Sequence, residues 1–218
     1  MVTGICNIKI DRGHILRRRQ IQKRSYETRA SILEAARKLT TGRSFDDVST
    51  ESIAKESGVA KGTIFAHFGD KNGLLSFLVA ERIQAIVDDW NEAPADPENH
   101  QDHLVLQSMK LINLLSTDRT ILQIYLDFSG ATSHKTSEQF LAALDALETK
   151  LLSFLEDWNK TSSEVIRTDL TPADLAAGIS AFVTTAAIYR SCGKIDSDAE
   201  CRMLLERQFQ AWLSPFCP

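Results

Sequence analysis

The sequence predicts an all-α protein made of a small N-terminal helical unit and a larger C-terminal helical domain. Three observations carry that reading. Apolar residues recur at three- and four-residue spacing in segment after segment, while the alternation of a half-buried strand is almost absent. Glycines and prolines punctuate the chain at helix-length intervals. The charge is divided by region: residues 1–75 hold fourteen Lys and Arg against eight Asp and Glu, and the remainder holds eleven against twenty-one.

The first helix is placed at Ser25 to Thr40, with Ile32, Leu33, Ala36 and Leu39 on its apolar side, Gly42 as its stop and a possible earlier start near His14. A second, short helix starts behind Ser49, an N-cap residue, and turns Ile53 and Ala54 inward. It ends at Ser57-Gly58-Val59, where glycine supplies the left-handed residue of a tight turn. A third helix runs from about Ala60 to Phe68, with Ile64 and Phe68 four apart on its buried side. Gly69-Asp70 leads into a long fourth helix from Lys71 to Asn91, closed off by Pro94 and Pro97. Five more helices follow at about 102–115, 118–129, 136–159, 172–190 and 198–213. Thr171-Pro172-Ala173-Asp174 marks one start, and Ser197-Asp198-Ala199-Glu200 has the spacing of a capping box.

The N-terminus turns basic without the apolar core of a secretory signal, which predicts a cytoplasmic protein. The longest uncharged apolar run, Leu175 to Tyr189, falls short of the roughly 20 residues that span a bilayer and reads as a buried helix, with no membrane partner expected. Cys6, Cys192, Cys201 and Cys217 show neither CxxC pairing nor zinc spacing, so no metal is expected. His100 and His103 could share a metal at i, i+3, but without a third ligand they read as a polar side at a helix start. No GxSxG, HExxH or phosphate-cradling glycine loop is present, so no enzyme chemistry and no cofactor are called for.

A basic first third on an acidic remainder suggests that the N-terminal part meets a polyanion. The two short helices around Gly58-Val59-Ala60 have the form of a helix-turn-helix, whose second helix enters the major groove; the same turn also occurs as an αα-corner in other helical proteins. In this reading Lys61 donates to guanine or phosphate, Gly62 lets the backbone approach DNA, and Thr63 and His67 donate to phosphates. Lys71 adds charge, and Thr50 sits at a helix N-terminus that can hold a phosphate.

From Arg29 through Ile32-Leu33, Ala35-Ala36, Gly42, Phe45, Ile53-Ala54, Gly58-Val59, Lys61-Gly62-Thr63-Ile64-Phe65, His67-Phe68, Lys71 and Leu74-Leu75, the sequence resembles the TetR family of bacterial regulators. The resemblance covers about residues 25–75 and implies a three-helix DNA-binding domain, an effector domain and a homodimer formed by the last two helices. It places Thr50, Lys61, Gly62, Thr63, Phe65, His67 and Lys71 at DNA-contact positions. Phe65 stands where the family most often has tyrosine, so a phenolic phosphate contact is missing. The expected division is a basic extension over 1–24, a DNA-binding domain over 25–70 and a ligand-binding and dimerisation domain over 71–218. Arg17-Arg18-Arg19, Lys23 and Arg24 either track phosphates or enter a minor groove, or else form a solvated tail or a helix extension.

Trp90, Met109, Tyr125, Phe128, Phe154, Trp158, Phe182 and Tyr189 are spread over several helices and are nominated as the lining of a small-molecule pocket, although each alone also suits core packing. Ala176, Ser180, Val183, Thr184 and Ala187, with Leu205, Phe209 and Trp212 on the last helix, are nominated as the dimer interface. The expected partners are operator DNA, a small apolar effector that releases it, and a second copy of the chain. A helical ligand carrier or enzyme without DNA binding, and a DNA-binding architectural factor without an effector, are the competing readings.

Overall fold

The computed structural model describes residues 12–92, 99–127, 137–162 and 165–215, with side chains from Gln22 onward. Among these residues the chain forms nine α-helices and no strand: α1 (Arg12–Thr40), α2 (Thr50–Ser57), α3 (Lys61–Phe68), α4 (Lys71–Glu92), α5 (His100–Ser116), α6 (Arg119–Leu126), α7 (Glu138–Thr161), α8 (Pro172–Ser191) and α9 (Asp198–Leu213). A 3-10 turn at Phe45–Asp47 joins α1 to α2.

The start of α1 is the main difference from the sequence expectation. The helix begins at Arg12, so residues 12–24 are part of it and not a separate extension. Beyond Gly13 this stretch has no glycine or proline and is rich in Arg and Gln, both good helix formers. The short helices follow their local signals closely. Ser49 Oγ accepts the Ser52 N–H at 3.1 Å and caps α2, and Gly58 ends it at φ 71°, a conformation that costs other residues a Cβ clash. Ile64 and Phe68 of α3 are buried with Ile32, Ala36, Phe45 and Ile53, which closes the three-helix unit.

The 22-residue α4, about 33 Å long at 1.5 Å per residue, connects this unit to the rest. It packs on α1 and α3 and also on α5, α6 and α7. Two contacts brace the joint. Arg37 of α1 reaches Glu81 of α4 through Nε (3.0 Å) and Nη2 (3.2 Å), and Arg29 lies 4.0 Å over the Phe77 ring; within the unit, Lys38 pairs with Glu56 of α2.

α8 packs against α5, α6, α7 and α9. By length and composition α8 could cross a membrane; here one side of it packs on those four helices, while Ala181, Ile188 and Tyr189 on the other are exposed. Its N-terminus carries the expected cap, since Thr171 Oγ1 accepts the Asp174 N–H at 3.2 Å and Asp174 accepts the Thr171 N–H at 3.1 Å. At the start of α9 the box is displaced: Ser197 Oγ accepts the Glu200 N–H, but the Glu200 carboxylate takes the Asp196 N–H at 3.3 Å. Gly178 allows α8 and α9 to meet closely. A Cβ there would lie 2.4 Å from the Trp212 ring, and that indole donates to the Leu175 carbonyl at 3.1 Å.

Candidate functional site

The outward side of α3 carries Lys61, Gly62, Phe65 and Ala66, all exposed. Lys61 is not free. Its ammonium pairs with Glu51 of α2 and lies 5.9 Å over the Phe65 ring, and Thr50 Oγ1 donates to the same Glu51 carboxylate at 3.3 Å. The hydrogen bond from Lys61 is the main reason that the Glu51 carboxyl is held below the usual range. Thr50, Glu51, Lys61 and Phe65 thus form one patch across the outer ends of α2 and α3. A Cβ on Gly62 would meet nothing within 4 Å, so no contact inside the protein requires that glycine.

Thr63 and His67 are half-buried at the edges of this patch, with the His67 ring 6.2 Å from Phe68. Lys71 is directed inward: its ammonium donates to the Asp46 carbonyl at 3.2 Å and lies 5.0 Å over the Phe45 ring, fastening the 3-10 turn to the start of α4. Lys23 and Arg24 are exposed on α1; the side chains of Arg17, Arg18 and Arg19 lie outside the description.

The larger domain encloses a cavity of about 330 Å³ between α4, α5, α6, α7 and α8. Trp90, Leu104, Leu111, Leu147, Leu151 and Ile179 give it an apolar wall, and its polar lining consists of Gln107, Ser108, Tyr125, Glu148 and Ser180. Burial pushes the Tyr125 phenol up, and a hydrogen bond with Thr184 opposes that shift. Gln107 is 2% exposed, and its Oε1 is buried without a hydrogen-bond partner, a state that costs about 1–3 kcal/mol in general.

Of the seven nominated pocket residues that are described, Trp90 and Tyr125 line the cavity. Phe154 and Trp158 instead build an aromatic cluster beside it with Trp90, His100 and His103. The His100 ring stacks on Trp158 (5.2 Å) and the His103 ring on Phe154 (5.8 Å), which gives the two histidines a packing role. Burial is the largest cause that lowers the His103 pKa, with Lys110, Lys150 and His100 adding to it. Met109 is buried elsewhere, Phe182 packs on Phe209 and Trp212, and Tyr189 is at the surface below Lys194. Phe128 lies outside the described residues. Among the described residues no group of His, Cys, Asp and Glu could hold a metal ion.

The residues nominated for the dimer interface are mostly interior to the protomer. Ala176, Ser180 and Val183 line the cavity, Thr184 meets Tyr125, and Ala187, Leu205 and Phe209 are fully buried. Trp212 is half-buried over Gly178. The apolar side that directs α8 inward is the same one that sequence periodicity exposes to view, and periodicity cannot tell a partner subunit from a neighbouring helix. The outward sides of the two helices carry Ala181, Ile188 and Met203, the last 56% exposed.

Sequence reading also missed Asp118, the N-cap of α6. Its carboxylate accepts from Ser44 Oγ and the Phe45 N–H, both at 2.7 Å, and from the Thr120 N–H at 2.9 Å, while Thr120 Oγ1 donates to Asp46 at 2.9 Å. Burial alone would push this carboxyl up, but the hydrogen bonds outweigh it and hold it below the usual range. The start of α6 is thereby latched to the turn between α1 and α2, while its other end carries Tyr125 into the cavity. An N-cap aspartate was legible at this position; its long-range partners were not.

Two short helices about a glycine turn, the second with an open outer side that begins with a lysine, define the helix-turn-helix class of DNA-binding unit, here carried on a helical domain with a ligand-sized cavity. Residues 32–76 match the family described as bacterial regulatory proteins, tetR family. A helix-turn-helix transcriptional regulator of Staphylococcus aureus (strain bovine RF122) is 29% identical over 87 residues, 40% of this chain and 46% of the relative. A second, from strain USA300, is 24% identical over 103 residues, 47% of this chain and 56% of the relative. The chain thus spans about half the length of the curated relatives it matches. Among solved structures, FadR from Bacillus subtilis in complex with stearoyl-CoA aligns with TM-score 0.59 and 18% identity over 85% of this chain and 97% of that one. RolR in complex with resorcinol aligns with TM-score 0.63 and 15% identity over 87% and 89%. These likenesses establish the fold across both parts of the chain.

Proposed function

We propose that this protein is a cytoplasmic, homodimeric transcription regulator that binds an operator through α3 and releases it when a small effector fills the cavity. The observation that carries the reading is the outer side of α3, where Gly62 leaves the backbone bare and Lys61 and Thr63 flank it, inside the segment that matches the tetR family. Residues 25–70, with the basic stretch 1–24 ahead of them, form the DNA-binding part in this reading, and residues 71–218 form the ligand-binding and dimerisation part. Lys61 would exchange Glu51 for a guanine or a phosphate on docking.

The effector reading draws on the cavity and on neighbours whose structures contain stearoyl-CoA, lauroyl-CoA or resorcinol. The dimer reading places the outward sides of α8 and α9, with Ile188 and Met203, against a second copy, so that Ile188→Glu with Met203→Glu yields monomers by sedimentation. A duplex selected from a random pool supplies the operator for the direct test. Lys61→Ala lowers its affinity by about 1–3 kcal/mol if the lysine reads guanine, measured by fluorescence anisotropy at fixed salt with unchanged helix content. Wild-type affinity in Lys61→Ala would remove the recognition role of α3. Ligands that stabilise the protein yet leave duplex affinity unchanged would favour an effector-independent DNA-binding factor instead.

A further inference from the structure

We infer that the cavity is built for a compact amine with an apolar middle and a hydrogen-bond donor at its buried end, and that it discriminates against carboxylates. The inference rests on the effector reading above and names the chemistry of that site.

Among the described residues that line the cavity, Glu148 is the charged one, and none of them is Lys, Arg or His. Glu148, Ala173, Ala177 and Ser180 are exposed, so the opening lies between α7 and α8 with the carboxylate at its edge. Trp90, Leu104 and Ile179 are almost fully buried and form the apolar interior. A cation at the mouth is therefore compensated by Glu148, and an anion there meets a like charge. The helix N-terminus at the opening, that of α8, is already served by its own Thr171 and Asp174 and offers an anion little.

The second observation lies in the inner wall. Gln107 is nearly fully buried, and its Oε1 has no partner. The neighbours of this amide fit its NH2 group and not its oxygen: the Gln107 side chain helps to hold down the Asp89 carboxyl, which is itself paired with Lys110, as a donor does, and the oxygen is left over. His103 Nε2 lies 3.5 Å from Gln107 Nε2, and burial, with the nearby Lys110 and Lys150, lowers the pKa of that ring. A buried acceptor without a partner is satisfied by a ligand that brings an O–H or N–H to it. One ligand that meets both groups has a donor at one end and an ammonium at the other. The cavity volume of about 330 Å³ suits a single-ring molecule and is at the small end for ligand sites.

Four probes of one shape separate these terms: tyramine (donor and positive charge), phenethylamine (charge alone), 4-ethylphenol (donor alone) and 3-(4-hydroxyphenyl)propanoate (donor with negative charge). Calorimetric titration of the full-length protein is expected to rank tyramine first and the propanoate at least tenfold weaker. Glu148→Gln should weaken tyramine and phenethylamine about tenfold and leave 4-ethylphenol unchanged. Gln107→Leu should weaken tyramine and 4-ethylphenol and leave phenethylamine unchanged, which also certifies that the variant is folded. The propanoate binding as tightly as tyramine, both variants ranking the series as the wild type does, or none of the four probes binding would each overturn the inference. Duplex anisotropy on the same samples keeps the two readings apart. Tyramine selectivity without loss of operator affinity sustains the ligand chemistry and sinks the effector reading, and a propanoate that binds and releases DNA does the reverse.

Discussion

The helix-turn-helix draws its determinants from one continuous stretch of chain, whereas the cavity takes its walls from five helices between Trp90 and Val183. In the first region each structural decision is local: Ser49 caps α2 three residues ahead, Gly58 turns the chain, and Ile64 and Phe68 face inward four residues apart. In the second region the decisive residues are small or polar, and their roles exist only once distant helices have met. Ala176, Ser180 and Val183 leave the space that larger residues would fill, and Gly178 is small because Trp212 occupies the room beside it. A site written in adjacent residues is therefore open to a single-sequence reading, and a site written in the gaps between helices is not.

Substitutions that act on one region and spare the other sharpen this contrast. The largest effect is expected for Ile64→Ala, at a fully buried position of the three-helix unit. Truncations of this kind cost about 2–5 kcal/mol, and chemical denaturation should record that loss together with abolished duplex binding, while ligand uptake by the cavity persists. Simultaneous loss of both activities would mean that the two regions unfold as one. Gly178→Val attacks the other side. Its Cβ would overlap the Trp212 ring, and overpacking costs about 1–3 kcal/mol; the melting temperature falls and the altered Trp212 environment changes the near-ultraviolet dichroism.

Asp118→Ala is next, because it cuts the link between the regions. Removing a buried carboxylate that accepts three hydrogen bonds should cost about 2 kcal/mol. The folded-state pKa of Asp118 lies below that of the unfolded chain, so its contribution is fully present above the ordinary carboxylate range and is lost as pH falls through the folded value. Acid titration of the wild type and Asp118→Ala should therefore converge at low pH and separate above about pH 4–5; parallel curves would remove the assignment. Gly62→Ala has the smallest effect on the fold. Alanine is favoured over glycine inside a helix by about 1 kcal/mol, and the new methyl meets open space, so the protein becomes slightly more stable while duplex affinity drops. Unchanged affinity would show that the backbone of α3 does not approach DNA at that point.

The same contrast explains what could be read in advance. All nine helices were visible in periodicity and punctuation, and α8 and α9 follow Thr171-Pro172 and Ser197 to within a residue. The beginning of α1 was open between Ser25 and an earlier start near His14, and the structure has it at Arg12. The exposed positions of α3 were legible from the turn and the alternation of Ile64 and Phe68, yet the pairing of Lys61 with Glu51 across the turn was hidden in the docking of α2 on α3. For the cavity, large aromatics were the natural choice, since they carry most of the apolar area. Phe154 and Trp158 spend that area on each other and on two histidines. Space comes from residues whose signal is the absence of a side chain.

The Asp118 latch also fixes which amide protons exchange together with solvent. Phe45 and Thr120, 75 positions apart in numbering, donate their N–H groups to the two oxygens of one carboxylate, Oδ2 and Oδ1, so a swing of the Asp118 side chain frees both amides at once. Opening that joint is one event, and in hydrogen exchange the two amides should report a common opening free energy although they belong to different parts of the molecule. A regulator assembled this way has a built-in gauge: the protection of Phe45 reads the state of α6, and α6 ends at the cavity.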